Sequence, residues 1–274
     1  MTKTVLITGA TGAIGKATAL ELAKNNCRVI LMGRNEARLK EVQSAILQVT
    51  GNKEVEYVVA DLSEPAAVRA ASAQIKSKHA ALHALVHTAA IYKKQRLENS
   101  QGLEYMFATN HLGPFLLTRE LTDLLKAGKP ARVVTVSAPS FTKINFDDLQ
   151  GKQKFSAGFL GAFGATKMMN LMFTYALARR LEGSGVTCSV FHPGLVKTEL
   201  TREMPALMHF IFKSISGKPD KPARMLCALA IDPAYASSNG TFLGASGKPV
   251  KSNAYSHEVQ LQEKLWALSE DLCK

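Results

Sequence analysis

Thr8-Gly9-Ala-Thr-Gly12-Ala-Ile14-Gly15 follows an apolar run at 4–8 and enters a helical pattern near Ala13. A strand that turns through glycines into a helix presents backbone N–H groups and the positive end of the helix to whatever lies over the turn, and a pyrophosphate suits that place. Gly9 permits the tight turn, Gly12 lets the backbone approach the phosphates, and Gly15 lets the helix pack closely on the strand. The second apolar run ends Leu31-Met-Gly33-Arg34. Gly33 stands where an acidic residue would bind the adenosine ribose hydroxyls, and the cation after it is the partner a 2′-phosphate needs. NADP(H) is therefore expected over NAD(H), against the plainer reading that Arg34 decorates a loop. Asp61 and Leu62 close the third run with the chemistry to hydrogen-bond an adenine edge and pack on its ring; a solvated turn aspartate is the competing reading. Phe163 and Lys167 fall on one helical face, a turn apart. The amine can hold a charge, but the phenyl ring carries no hydroxyl with which to move a proton.

These residues must be positioned by alternating elements. Apolar β-branched runs recur at 4–8, 28–32, 55–60, 82–87, 132–137 and 186–191, separated by helical spacing such as that at 37–49 and 66–75. Strands apolar throughout and separated by helix-length intervals form a parallel sheet covered on both faces. The expectation is one doubly wound, Rossmann-like α/β domain over 1–274. The region 201–222 departs in composition, with Pro205, Pro219 and Pro222 bracketing Leu207-Met-His-Phe-Ile-Phe212. It reads as an inserted substrate lid, taken as 199–222.

Composition bounds the rest. Of 274 residues, 46% are hydrophobic and 20% charged, ordinary values for a globular chain, and no apolar run approaches the ~18 residues of a membrane span. Met1-Thr-Lys-Thr leads straight into the first strand, leaving no room for a secretory leader, so a cytoplasmic setting is expected. The net charge of +12 is spread along the chain, which favours a solvated basic surface over nucleic-acid binding. Cys27, Cys188, Cys227 and Cys273 lack metal-ligand or disulfide spacing, and His87, His111 and His192 read as structural, so no metal site is expected. Residues 207–212 suit a hydrophobic substrate or peripheral membrane contact, with His209 and Lys213 interrupting them too early for insertion. Met168, Met169, Leu171, Met172, Phe173 and Leu177 make the helix after Lys167 apolar nearly all round, a pattern that points to core plus a homodimer contact.

The order of motifs resembles the short-chain dehydrogenase/reductase family: the first glycine turn, Val59-Ala-Asp61, Asn110-His-Leu-Gly113, a Ser/Ala pair after Val136, the helix carrying Lys167, and His192-Pro193-Gly194-Leu-Val196-Lys-Thr198. Asn110 to Thr118 and Leu265-Trp-Ala-Leu-Ser-Glu270 are similar to the branch of retinol dehydrogenases and related carbonyl reductases, which suggests an apolar carbonyl or alcohol substrate by analogy. In that family an Asn, Ser, Tyr and Lys tetrad acts together. The resemblance gives Asn110 the role of holding a water and bending its helix. Lys167 takes that of binding the nicotinamide ribose and lowering a neighbouring phenol's pKa. Pro193, Gly194, Val196 and Thr198 would touch the carboxamide, with Thr8, Ile14 and Ala89 completing the nucleotide contacts.

The departures fall on the reacting groups. Ala138 and Phe163 occupy the catalytic serine and tyrosine positions, and strand alternation would turn Ser137 away from the site. His87-Thr-Ala89-Ala90 replaces an Asn-Asn-Ala-Gly segment, and Ala13 takes the place of the turn's usual central glycine. A positioned general acid is worth ~10²–10⁴ in rate and an oxyanion donor a further ~10²–10³, so ordinary carbonyl reduction should be poor. Ser140 and Thr166 are nearby hydroxyls that read better as local backbone hydrogen-bonders. The pattern fits natural divergence or a chain inactivated at two hydroxyls; the His87 to Ala90 change, which serves no such inactivation, favours divergence. The leading expectation is an NADP(H)-dependent oxidoreductase with atypical proton donation. The alternatives are a redox-inactive NADP(H)-binding sensor or partner protein, and a non-redox cyclase or isomerase in the same pocket.

Overall fold

The computed structural model describes residues 2–198, 200, 203 and 216–274. Seven parallel strands, β1 Thr4–Thr8, β2 Arg28–Gly33, β3 Val55–Val59, β4 Ala84–His87, β5 Ala131–Val136, β6 Val186–His192 and β7 Thr241–Gly244, lie in the order β3-β2-β1-β4-β5-β6-β7. Strand alternation splits the core into two layers. Val5, Ile7, Val29 and Leu31 pack under α1 (Ala13–Lys24), α2 (Glu36–Thr50) and α6 (Asp220–Ile231), while Leu6, Ile30 and Met32 pack under the helices of the opposite face. On that face lie α3 (Pro65–Lys78), α4 (Gly113–Ala127), α5 (Ala162–Arg180) and α7 (Val259–Leu272).

Local chemistry sets several boundaries. The Asn35 side chain caps α2 by accepting the Arg38 N–H at 2.9 Å, and Gly51 ends that helix at φ 67°. The fourth strand starts at Ala84, two residues later than expected, because the Leu82 N–H is spent on the Leu124 carbonyl at the end of α4. The seventh strand adds to the six that periodicity marks. Its four residues, Thr241–Gly244, are too few to show a period, and pairing with β6 supplies the order that the sequence lacks.

One expectation changes here. Every residue of α5 from Phe163 to Ala178 except Ala165 is buried within the single chain, so this helix keeps no free apolar face for a subunit contact. Its apolar excess is taken up by β6 and by α7, where Trp266 stacks on Phe173 at 6.0 Å and the Arg180 guanidinium lies 3.9 Å over the indole. The lid expected over 199–222 lies mostly outside the described residues, as does 207–212; its last residues, 220–222, open α6. Among the described residues, no helix is long and apolar enough to cross a membrane.

Two of the histidines read as structural, His87 and His111, are core groups held neutral. His111 Nε2 lies 2.8 Å from Ser269 Oγ on α7, and because that hydroxyl donates to the Leu265 carbonyl, the imidazole must be the donor. His87 donates in the same way to Thr118 Oγ1 at 2.8 Å, and burial holds both imidazoles down to about 3. Between about pH 6.5 and 3 the unfolded chain binds protons at these positions that the native chain does not. Stability therefore falls as pH falls through that window, by up to ~1.4 kcal/mol per pH unit for each histidine. His111→Gln keeps a donor for Ser269 and removes the titration. Urea unfolding between pH 6.5 and 5 should show a shallower loss in this variant, and identical slopes would mean that His111 takes up a proton while folded.

Candidate functional site

The strand order reverses between β1 and β4, which run side by side with Thr8 opposite His87. At such a reversal the carboxyl ends of the strands diverge and leave a crevice for a ligand. Thr88 Oγ1 donates to the Thr8 carbonyl at 2.6 Å and the Ala89 N–H to Thr8 Oγ1 at 3.4 Å, so the altered His87 to Ala90 segment still ties the two strand ends together. Gly9 has φ +65°, and a Cβ there would lie 2.7 Å from the Ala89 backbone; a Cβ on Gly15 would lie 2.2 Å from the Gly9 carbonyl oxygen. The turn is therefore closed in a form only glycine fills at these two positions. Gly12 differs, since its Cβ would meet that oxygen at 3.3 Å. It is the exposed N-cap of α1, with no side-chain cap and no acidic residue in the first helical turn, which also holds Ile14. Unblocked N–H groups at a twelve-residue helix fit a pyrophosphate.

Three side chains meet beyond the carboxyl ends of β2 and β3, where adenosine contacts are expected. Exposed Arg34 donates from Nη1 to Tyr105 Oη at 2.9 Å, and that hydroxyl donates to Asp61 Oδ2 at 3.4 Å. Asp61 Oδ1 meanwhile accepts the Ser63 N–H and hydroxyl, so the turn aspartate and the site aspartate are the same residue in one hydrogen-bonded chain. Leu62 is 6% exposed, pressed into the core beneath α4, where a Cβ on Gly113 would lie 2.2 Å from the Leu62 carbonyl oxygen. It offers a floor rather than an open face. Tyr105 gave no signal in the sequence, because only the fold brings it between Arg34 and Asp61.

At the reacting end, Ala108–Leu112 forms a π-turn ahead of α4. Asn110 lies in it, fully buried, with its amide spent on the backbone of Ile91: Oδ1 accepts that N–H at 2.8 Å and Nδ2 donates to that carbonyl at 3.0 Å. The π-turn interrupts the α-helical pattern at Asn110, and the Asn110 side chain is a clamp on the loop after β4. The start of α5 is pressed equally tightly, since a Cβ on Gly164 would lie 1.7 Å from the Phe159 carbonyl oxygen. There the Lys167 ammonium stands 5.1 Å from the centroid of the Phe163 ring. Lys167 is 7% exposed, and burial lowers its pKa to about 8, so at neutral pH it still presents a charge.

The neighbouring hydroxyls are committed elsewhere. Ser137 Oγ donates to the Lys167 carbonyl at 3.0 Å, while Ala138, like Ser137 beyond the end of β5, is half-exposed. Ser140 donates to Gly164 O and Thr166 to Phe163 O, both at 2.8 Å, so neither is free to serve a substrate. Half-buried Pro193 leads into Gly194 at φ +75°, and Val196 bridges to Gly217, whose carbonyl accepts the Lys197 N–H at 3.0 Å next to Thr198. This segment closes the side of the crevice beyond β6. The residues thus fit a nicotinamide dinucleotide in the glycine turn, the uncapped helix end, and the cation and aspartate where a ribose would lie. They supply no hydroxyl at positions 138 and 163.

Comparison with known proteins gives a consistent placement. A family model described as short chain dehydrogenase matches residues 3–207. The chain is 34% identical to retinol dehydrogenase 14 of Homo sapiens, with 98% of this chain and 85% of that protein aligned. It is likewise 34% identical to polyprenol dehydrogenase of Homo sapiens, over 97% and 84%. The structure superimposes on an uncharacterized protein from Mycobacterium paratuberculosis with a TM-score of 0.76 and 29% identity, covering 99% of this chain and 93% of the other.

Proposed function

This chain belongs to the short chain dehydrogenase family, whose members bind a nicotinamide cofactor, and from that membership we propose that it interconverts a hydrophobic carbonyl compound and its alcohol with NADP(H). The observation that carries the reading is the pairing of a glycine turn shaped for a pyrophosphate with a buried, charged Lys167 beside the same crevice. When bound, the nicotinamide supplies or accepts a hydride at the substrate carbon. The chain does the rest: Gly9 to Gly15 hold the pyrophosphate, Asp61 and Arg34 the adenosine end, Lys167 the nicotinamide ribose, and Pro193 to Thr198 the carboxamide. The apolar substrate class is supported by the alcohols in the relatives' names, retinol and polyprenol. A lid over 199–222, a cytoplasmic setting and a homodimer belong to the same proposal. Light scattering of the purified chain tests the dimer, and a monomer would remove it.

The preference for NADP(H) rests on Arg34. Exposed and held by Tyr105, its guanidinium is placed for a 2′-phosphate, a contact that NADH lacks. Arg34→Ala should weaken NADPH about 10- to 100-fold, the value of a charge-assisted contact, and leave NADH nearly unchanged. Calorimetric titration reads both, and equal loss for the two cofactors would sink the assignment.

A second reading, a redox-inactive NADP(H)-binding sensor, has one observation in its favour. Phe163 and Ala138 lack hydroxyls, and the hydroxyls of Ser137, Ser140 and Thr166 bond carbonyls. Turnover of a hydrophobic aldehyde panel with NADPH separates the two readings.

A further inference from the structure

The hydroxyl missing from Phe163 has a replacement on the neighbouring chain segment. Tyr92 packs against the Phe163 ring, centroids 5.6 Å apart and planes at 71°, while the Lys167 ammonium contacts the same ring. The loop carrying Tyr92 is fixed on both sides. Asn110 holds Ile91 through two hydrogen bonds, and the Lys93 N–H reaches Met106 Sδ at 3.2 Å.

Tyr92 is 8% exposed, and its Oη neither bonds a described residue nor falls among the fully enclosed atoms without a partner, so the hydroxyl keeps some access to solvent. The same holds for Nζ of Lys167, which is 7% exposed. Two largely buried side chains therefore flank one ring, each with a polar tip that bonds no described residue and is not fully enclosed. A buried polar residue is normally satisfied by protein or water, and a tip left open beside a crevice is available to a ligand. Ser137, Ser140 and Thr166 lack that freedom, since their hydroxyls donate to carbonyls.

We propose that Tyr92 is the proton donor of this site, its Oη hydrogen-bonding the oxygen of a hydrophobic carbonyl substrate and protonating it during reduction. The inference rests on the oxidoreductase reading above. The carbonyl carbon gains the hydride that reduced nicotinamide supplies, the π pair moves onto oxygen, and that oxygen forms an O–H bond as the Tyr92 Oη–H bond breaks. The phenolate recovers its proton from solvent. In alcohol oxidation the same group accepts the proton.

The test uses Tyr92→Phe in the native chain and in a Phe163→Tyr chain, with two readouts. Turnover of a hydrophobic aldehyde with NADPH should fall ~10²-fold in the native background, and less than about threefold in the Phe163→Tyr background, where the phenol introduced at that position donates instead. Decanamide presents a carbonyl oxygen and takes no hydride; its affinity for the NADPH-loaded native chain should fall about tenfold on loss of the Tyr92 hydroxyl. NADPH affinity and Tm should stay unchanged. Aldehyde turnover unaffected by Tyr92→Phe would overturn the proposal and leave the oxidoreductase reading standing. If neither background reduces aldehydes, that reading fails, and decanamide affinity then decides on Tyr92 by itself: no decanamide binding, or equal binding with and without the hydroxyl, overturns its role.

Discussion

Restoring both hydroxyls, Phe163→Tyr with Ala138→Ser, should raise NADPH-dependent reduction of hydrophobic aldehydes by about 10²-fold or more. The scaffold for those hydroxyls is already present. Position 163 lies one turn before Lys167, whose ammonium is 5.1 Å from the ring, so a phenol there would sit beside a cation that favours its ionised form. Position 138 is half exposed and follows Ser137, whose hydroxyl is tied to the Lys167 carbonyl. A general acid contributes ~10²–10⁴ and an oxyanion donor ~10²–10³ when each meets the substrate oxygen. The lower end is expected here, because Tyr92 supplies part of the missing function in the native chain. Steady-state rates across an aldehyde and ketone panel measure the gain. A panel without any gain would mean that the crevice does not present a carbonyl to the nicotinamide.

Gly15→Ala should abolish nucleotide binding and lower Tm, whereas Gly12→Ala should weaken binding alone. At Gly15 the added Cβ would stand 2.2 Å from the Gly9 carbonyl oxygen and 2.8 Å from its carbon, so α1 must back away from the turn. Such overpacking costs ~1–3 kcal/mol, and it moves the helix end that the phosphates need. At Gly12 the nearest atom would be 3.3 Å away, which the turn can absorb, but the methyl would project from the exposed N-cap toward the ligand. Differential scanning fluorimetry with and without NADPH reads both effects. A Gly15→Ala chain with native Tm and affinity would contradict this account of the turn.

The sequence made the glycine turn, the i to i+4 pair of Phe163 and Lys167, and the six longer strands legible because each depends on spacing within a few residues. The homologous motifs fixed the family on similar grounds. Contacts between distant segments were hidden. Tyr105 joins Arg34 to Asp61, and Tyr92 reaches Phe163, only after β4 and α5 are brought together. The four-residue β7 was too short to carry a period of its own. The misreading of α5 has the same cause: an all-round apolar helix looks like an interface until the last helix of the chain is seen to cover it.

The most direct test of the central claim is calorimetric titration of the purified native chain with NADPH and, separately, with NADH. Micromolar binding of NADPH, at least tenfold tighter than that of NADH, is the result the account predicts. Absence of binding by either nucleotide would contradict it, because a turn closed by Gly9 and Gly15, an uncapped α1 and a charged Lys167 would then be serving something other than a nicotinamide dinucleotide.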